Sequence, residues 1–279
     1  MRFTILLLFT FLLSMMNLWA TAQANKTTGV NQNIQMPWNN KQAAVVLTYD
    51  DGLNVDLTNA IPALNKVGLK GTFYIADFGN LREQIPRWKI AASKGHELAN
   101  HTVYHPCAGG SAGRSFVTPA HDLRYYSLAR ITDEMKSMNT ILKAIDGKTK
   151  RTFAFPCNDK KIGDTPYING VNNEFIAARA VRSEMPTIDK VQLMDLPSYM
   201  INGQSGQQLI ELVQQAVSKK ALLIFLFHGV GGEHNLNVSL EAHTQLLQYL
   251  KKHQKEIWIA PAIEVAEYVK AYQSKTTFR

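Results

Sequence analysis

Ala43-Ala44-Val45-Val46-Leu47-Thr48-Tyr49 runs straight into Asp50-Asp51-Gly52. The first seven residues read as an apolar strand, and the two aspartates mark its end. Adjacent carboxylates leaving such a strand are costly to bury unless something binds them. They also allow a division of labour, in which one ligates a metal and its neighbour, turned elsewhere by the backbone, acts as a base. The structural alternative is a turn in which Asp51-Gly52 only caps the strand.

Outward from this stretch, short apolar runs alternate with longer amphipathic ones, the pattern of βα units around a parallel sheet. Strands are expected over residues 43–49, 71–75, 96–99, 152–155, 175–180, 221–227 and 257–259. Helices are expected near 56–67, 85–94, 119–145, 207–219, 240–253 and 262–272, the longest stopped by Asp146-Gly147. The chain shows no internal repeat, low-complexity tract or interdomain linker, so one domain is expected. The polar motifs then fall at strand C-terminal ends: Asp50-Asp51-Gly52, His101, Pro156-Cys157 and His228. That is the face on which barrel enzymes place their chemistry.

His101 and His105 are four residues apart, so on a helical turn they would share a face and could ligate one ion. A zinc protease does not fit, because Thr102 stands where that chemistry needs a glutamate. His96-Glu97 supplies the glutamate, but the next histidine is five residues on, about 140° around a helix. His228 closes the strand 221–227 and precedes Gly229-Val230-Gly231-Gly232. The glycines lack the Lys-Ser/Thr of a phosphate loop. An imidazole there is either a satisfied structural histidine or a general acid facing the carboxylate base. His121, His234, His243 and His253 read as surface residues.

Arg2, the apolar run 3–13 and Ala22-Gln23-Ala24 read as a signal peptide over residues 1–24, followed by a leader over 25–42. The apolar run is too short to span a membrane, so no stable insertion is expected after its removal. The mature protein is expected to start near Asn25, secreted or in a periplasm. The formal charge of +8 falls by one, to +7, when Arg2 is removed. Its lysines and arginines are scattered, with no basic run or recognition motif, which argues against nucleic acid as a partner. The two cysteines, Cys107 and Cys157, both survive processing. They are either bridged, as an oxidising compartment permits, or two small buried thiols. Asn25 and Asn237 begin Asn-X-Ser/Thr sequons.

Thr48-Tyr49-Asp50-Asp51-Gly52, Asn100-His101-Thr102-Val103-Tyr104-His105-Pro106 and Leu226-Phe227-His228 together resemble the polysaccharide deacetylase, or NodB-homology, family. The resemblance covers about residues 43 to 272, leaving 273–279 as a C-terminal tail. It implies a single-domain α/β fold, a distorted (β/α) barrel that removes acetyl groups from carbohydrate with one divalent metal. It assigns the general base to Asp50, the metal to Asp51, His101 and His105, and the general acid to His228. Zinc is the first expectation, and cobalt, manganese, iron or nickel suit the same donors.

The family's Arg-Pro-Pro-Tyr-like motif is altered to Ala154-Phe155-Pro156-Cys157. Ala154 replaces the arginine that normally holds the base, while Cys157 can still offer a backbone N–H to the oxyanion. Arg151, Arg179 and Arg182 are candidate substitutes, with Arg179 favoured because Arg151 lies roughly 10 Å along the strand on the opposite face. Asp195 is the candidate for the family's remaining aspartate motif. An N-acetylated polysaccharide or oligosaccharide is the expected substrate, an O-acetylated xylan-type glycan the alternative. An inactive sugar-binding protein on the same fold is the reading of another class.

Overall fold

Strand β1, Ala43–Asp50, is buried at every position, and it organises the whole sheet. A computed structural model describes residues 36–276, so the segment read as a signal peptide, Asn25, most of the segment read as a leader and residues 277–279 lie outside the described residues. The other strands of the main sheet are β2 (Thr72–Ile75), β3 (Glu97–Asn100), β4 (Thr152–Ala154), β5 (Ala177–Arg179), β6 (Tyr199–Met200), β7 (Leu222–Phe227) and β8 (Ile257–Ile259). All pairings among them are parallel. The order is β5-β4-β3-β2-β1-β7-β6, with β8 against the first half of β1. Leu196 bridges to Arg179, and Tyr199 pairs with Phe225 three residues later. The segment 196–200 therefore ties one edge to the other, giving the expected distorted (β/α) barrel.

Helices α1 (Ile61–Val67), α2 (Leu81–Ser93), α3 (Leu128–Asp146), α4 (Gly206–Lys219), α5 (Leu240–Lys252) and α6 (Ala262–Thr276) complete the chain. The two-residue period of β1 sends its side chains two ways. Val45, Leu47 and Tyr49 join one core cluster with residues of α1, α2, α4 and α5. Ala44 and Val46 join another with Val265, Ala266 and Val269 of α6. Asp50 shares this second face and reaches its carboxylate past the end of the strand. Trp38, within the segment read as a leader, is buried and donates its Nε1–H to the Lys220 carbonyl at 2.8 Å.

Two expectations need correction. The helix expected over 119–145 starts only at Leu128, where the Ser127 hydroxyl caps the Arg130 N–H. Upstream, Pro119–His121 and Leu123–Tyr125 form separate 3-10 turns, because the Asp122 side chain accepts from Gly109 N and Arg124 N. An aspartate that bonds neighbouring backbone in this way competes with a continuous helix. His243, expected at the surface, is buried and shares a 2.8 Å hydrogen bond with Tyr49 Oη. Burial keeps the phenol protonated and lowers the imidazole pKa to about 4, so the hydroxyl donates to a neutral ring. His243 lies on the same helical stripe as Leu246, Leu247 and Leu250, a periodicity visible in the sequence.

Candidate metal-hydrolase site

The sheet's C-terminal rim gathers Asp50, Asp51, His101, His105, Cys157 and His228 around one cavity of about 730 Å³. Asp51 has φ 77° and Gly52 φ 64°, so the chain turns sharply as it leaves β1, and Asp50 Oδ2 and Asp51 Oδ1 come within 3.8 and 3.6 Å of His101 Nε2. His101 and His105 reach the cavity from a loop rather than a helical turn. Thr102 (φ 64°) and His105 (φ 49°) are left-handed. Asn100 Oδ1 accepts from Thr102 N at 2.8 Å, and Thr102 Oγ1 accepts from His105 N at 3.0 Å. The four-residue spacing thus brings the rings together, centroids 4.6 Å apart, by a side-chain-braced turn.

Asp51 Oδ1 lies 3.6 Å from His101 Nε2 and 3.4 Å from His105 Nε2. Tetrahedral ligands with bonds of about 2.1 Å sit about 3.4 Å apart. His101 Nδ1–H donates to the Ala154 carbonyl at 2.8 Å, which fixes the tautomer that turns the Nε2 lone pair inward. Asp51 Oδ1 is buried without a hydrogen-bond partner among the described residues. These donors and the orphaned oxygen fit a divalent cation.

Burial raises the Asp51 carboxyl pKa to about 6, further pushed by Asp50. Burial lowers His101 to about 3 and His105 to about 4, so both imidazoles are neutral lone-pair donors. The metal-free protein should therefore lose affinity for a divalent ion as pH falls below about 6. One proton is displaced per ion down to about pH 4, a tenfold loss per pH unit by simple linkage. Calorimetric titration with zinc at several pH values checks this, and a pH-independent affinity between 4 and 6 contradicts it.

Asp50 has a different environment. Arg179 Nη2 donates to its Oδ2 across 2.5 Å, with both side chains buried. Burial works against the charge of Asp50, but Arg179, His101 and His228 outweigh it and hold the carboxyl below the usual range. Arg179 is the strand partner of Ala154. The arginine absent from β4 is thus supplied by the adjacent strand at the paired position, its guanidinium passing 5.0 Å over Tyr74. Arg151 is engaged elsewhere, bonded to Asp146 and the Leu98 carbonyl. Asp195 does not join the cluster. Lys160 and Arg182 hold it instead.

Cys107 and Cys157 are bridged, with Cα atoms 5.7 Å apart. The bridge staples the loop of His105 to that of Cys157, and Arg114 adds a second tie by bonding Asp159 and the Cys157 carbonyl. The bridged residues are 50 apart, and a loop of that size is worth about 3 to 4.5 kcal/mol on the chain-entropy model. A Cys107→Ser/Cys157→Ser variant should lose about that much stability in urea unfolding. An unchanged midpoint contradicts it.

His234 was missed. Expected at the surface, it stacks on His228 with centroids 4.6 Å apart, and its Nε2 lies 4.0 Å from Asp51 Oδ2. His121, also expected at the surface, stacks on Tyr104 beside the same cavity. Neither spacing carries a periodic signal, because His121 ends a single 3-10 turn and His234 belongs to a loop. The cavity mouth is apolar, with Phe78, Tyr104 and Phe116 all about half exposed.

A parallel barrel with carboxylates and imidazoles gathered at its strand ends holds them on the face where barrel enzymes carry their chemistry. Residues 39–162 match the polysaccharide deacetylase family model, a span that holds every site residue named above from Asp50 to Cys157. Among solved structures, one described as a polysaccharide deacetylase from Mycobacterium smegmatis is 14% identical, with 83% of this chain and 91% of that one covered and a TM-score of 0.60. The Bc1960 peptidoglycan N-acetylglucosamine deacetylase is 18% identical, with 82% and 89% covered and a TM-score of 0.55. The Xyl-CE4 domain of a multidomain xylanase from the hindgut metagenome of Trinervitermes trinervoides is 19% identical, with 81% and 90% covered and a TM-score of 0.53. At these identities the likeness is one of fold. No curated protein matches the chain. Residues 39–162 thus carry the polysaccharide deacetylase pattern, as the motif resemblance anticipated, on a fold shared with proteins so described.

Proposed function

We propose that the protein is a metal-dependent hydrolase that removes acetyl groups from N-acetylated polysaccharide or oligosaccharide. The carrying observation is the convergence of Asp51, His101 and His105 at metal-ligand spacing, between a buried carboxylate and a buried imidazole. A divalent ion held there would polarise the acetyl carbonyl and acidify water. Asp50, kept ionised by Arg179, takes the proton of the attacking water. The Cys157 N–H offers a donor to the oxyanion, and His228 protonates the departing sugar nitrogen. Half-exposed aromatic rings at the cavity mouth suit the flat faces of sugar rings.

The Arg179–Asp50 pair bears on the alternatives. A poorly held base would favour an intrinsically reactive ester or an inactive sugar-binding protein, and Arg179 removes that reason. Protonation by His228 matters most for an amine leaving group, which supports the N-acetyl substrate over O-acetylated xylan. Zinc is the proposed ion. Export to a periplasm or the exterior fits the disulfide, and native protein beginning near Asn25 rather than Met1 checks it.

The test is acetate release from N-acetylglucosamine oligomers and from O-acetylated xylan under identical metal loading. Release from the oligomers is expected. Efficient release from xylan alone overturns the N-acetyl preference, and release from neither favours the sugar-binding reading.

A further inference from the structure

His228 Nδ1 is buried with no hydrogen-bond partner among the described residues. An imidazole that passes protons is ordinarily held by a bond from its other nitrogen. Asp195 is tied to Lys160 and Arg182 and does not supply one. The ring of His228 instead lies against His234, their planes 12° from parallel.

His234 is itself held in place. The Leu236 N–H donates to its Nδ1 at 3.0 Å, which leaves the ring proton of the neutral form on Nε2. Its loop is fastened on both sides. Gly229–Val230 pairs in parallel with Asn237–Val238, and Asn237 Oδ1 accepts from Gly232 N at 2.9 Å. Glu233 accepts from Asn54 Nδ2 and Val55 N, both at 2.7 Å. The turn needs glycine at 229, where a Cβ would meet the Gly232 carbonyl oxygen at 2.3 Å. That close return brings residue 234 back over residue 228.

We propose that His234 is a positioning residue that orients the His228 imidazole by ring stacking, in place of a hydrogen bond to Nδ1. The proposal rests on His228 being the proton donor of the deacetylation. His234 takes no part in bond breaking. Its flat face restricts the rotation of His228, so that Nε2 meets the leaving group at a fixed angle.

The test compares metal-loaded wild-type enzyme with His234→Ala, His234→Phe and His234→Gln on N-acetylglucosamine oligomers. His234→Ala should lower kcat about 10- to 100-fold with metal content intact and KM within about threefold. His234→Phe keeps a flat face and should recover to within about threefold of wild type. His234→Gln keeps an N–H donor near Asp51 but no ring, and should stay low. The His228 ring resonances in NMR should shift and broaden in the Ala variant but not in the Phe variant. Wild-type kcat in the Ala variant, rescue by Gln without rescue by Phe, or unchanged His228 resonances in the Ala variant would each overturn the proposal. Absence of turnover in the wild type would count against the proposed function, while the NMR comparison still decides the stacking role.

Discussion

Asp50→Asn is expected to keep its metal and lose turnover by about 10²–10⁴-fold, the usual contribution of a positioned base. The amide has nearly the same shape and can still bond the guanidinium through its oxygen, but it cannot accept the proton of water. Asp51 faces the two imidazoles at 3.4 and 3.6 Å through an otherwise unpartnered oxygen, whereas Asp50 Oδ2 is bonded to Arg179 and lies 3.8 Å from His101 Nε2 alone. The variant should therefore separate the two neighbours cleanly. Steady-state acetate release and metal analysis on the same preparation check it. A metal-free Asp50→Asn protein would move Asp50 into the ligand set, and near-normal turnover would remove it from the chemistry.

The second large effect concerns stability. Arg179→Met should cost about 3–5 kcal/mol, because it leaves a buried carboxylate without its cation. Asp50 is 3% exposed and Arg179 1%, so water cannot take over the role of the guanidinium. The double variant Asp50→Asn/Arg179→Met should recover much of the loss, since the uncompensated charge is gone. The sign with pH follows from the lowered native pKa of Asp50. Its stabilisation is present above the unfolded carboxylate pKa and is lost as pH falls through the native value. In the Met variant burial without the guanidinium raises that pKa, so its deficit against wild type should shrink on going from pH 7 to about pH 4. Urea unfolding of the four proteins at both pH values reads this. A deficit below about 1 kcal/mol at pH 7 would mean that the pair is not what holds Asp50.

Most strands were readable because they are short apolar runs bounded by turn residues, with β3 (Glu97–Asn100) and β5 (Ala177–Arg179) carrying polar ends. All seven expected strands recur within two residues of their expected ends, with β6 and the two small pairs Lys161–Ile162/Thr165–Pro166 and Gly229–Val230/Asn237–Val238 not anticipated. The face that carries the candidate site was readable for the same reason, since the polar motifs sit where those runs stop. Other features depended on side chains bonding backbone across the chain. Asp122 breaks the expected long helix through bonds to Gly109 and Arg124, and no periodicity announces them. Arg179 was traceable only as a missing charge at Ala154, and strand pairing shows how the neighbouring strand supplies it. His234 depends on a glycine turn and a loop docked through Glu233. His243 was legible, because its helical stripe is apolar, but the identity of the residue concealed its position.

The most direct measurement is the metal stoichiometry and zinc affinity of the purified protein beside His105→Ala, at neutral pH. One tightly bound ion per wild-type chain, with affinity reduced by at least two orders of magnitude in the variant, is expected from a site held by Asp51, His101 and His105 alone. Equal binding by the two proteins would contradict it.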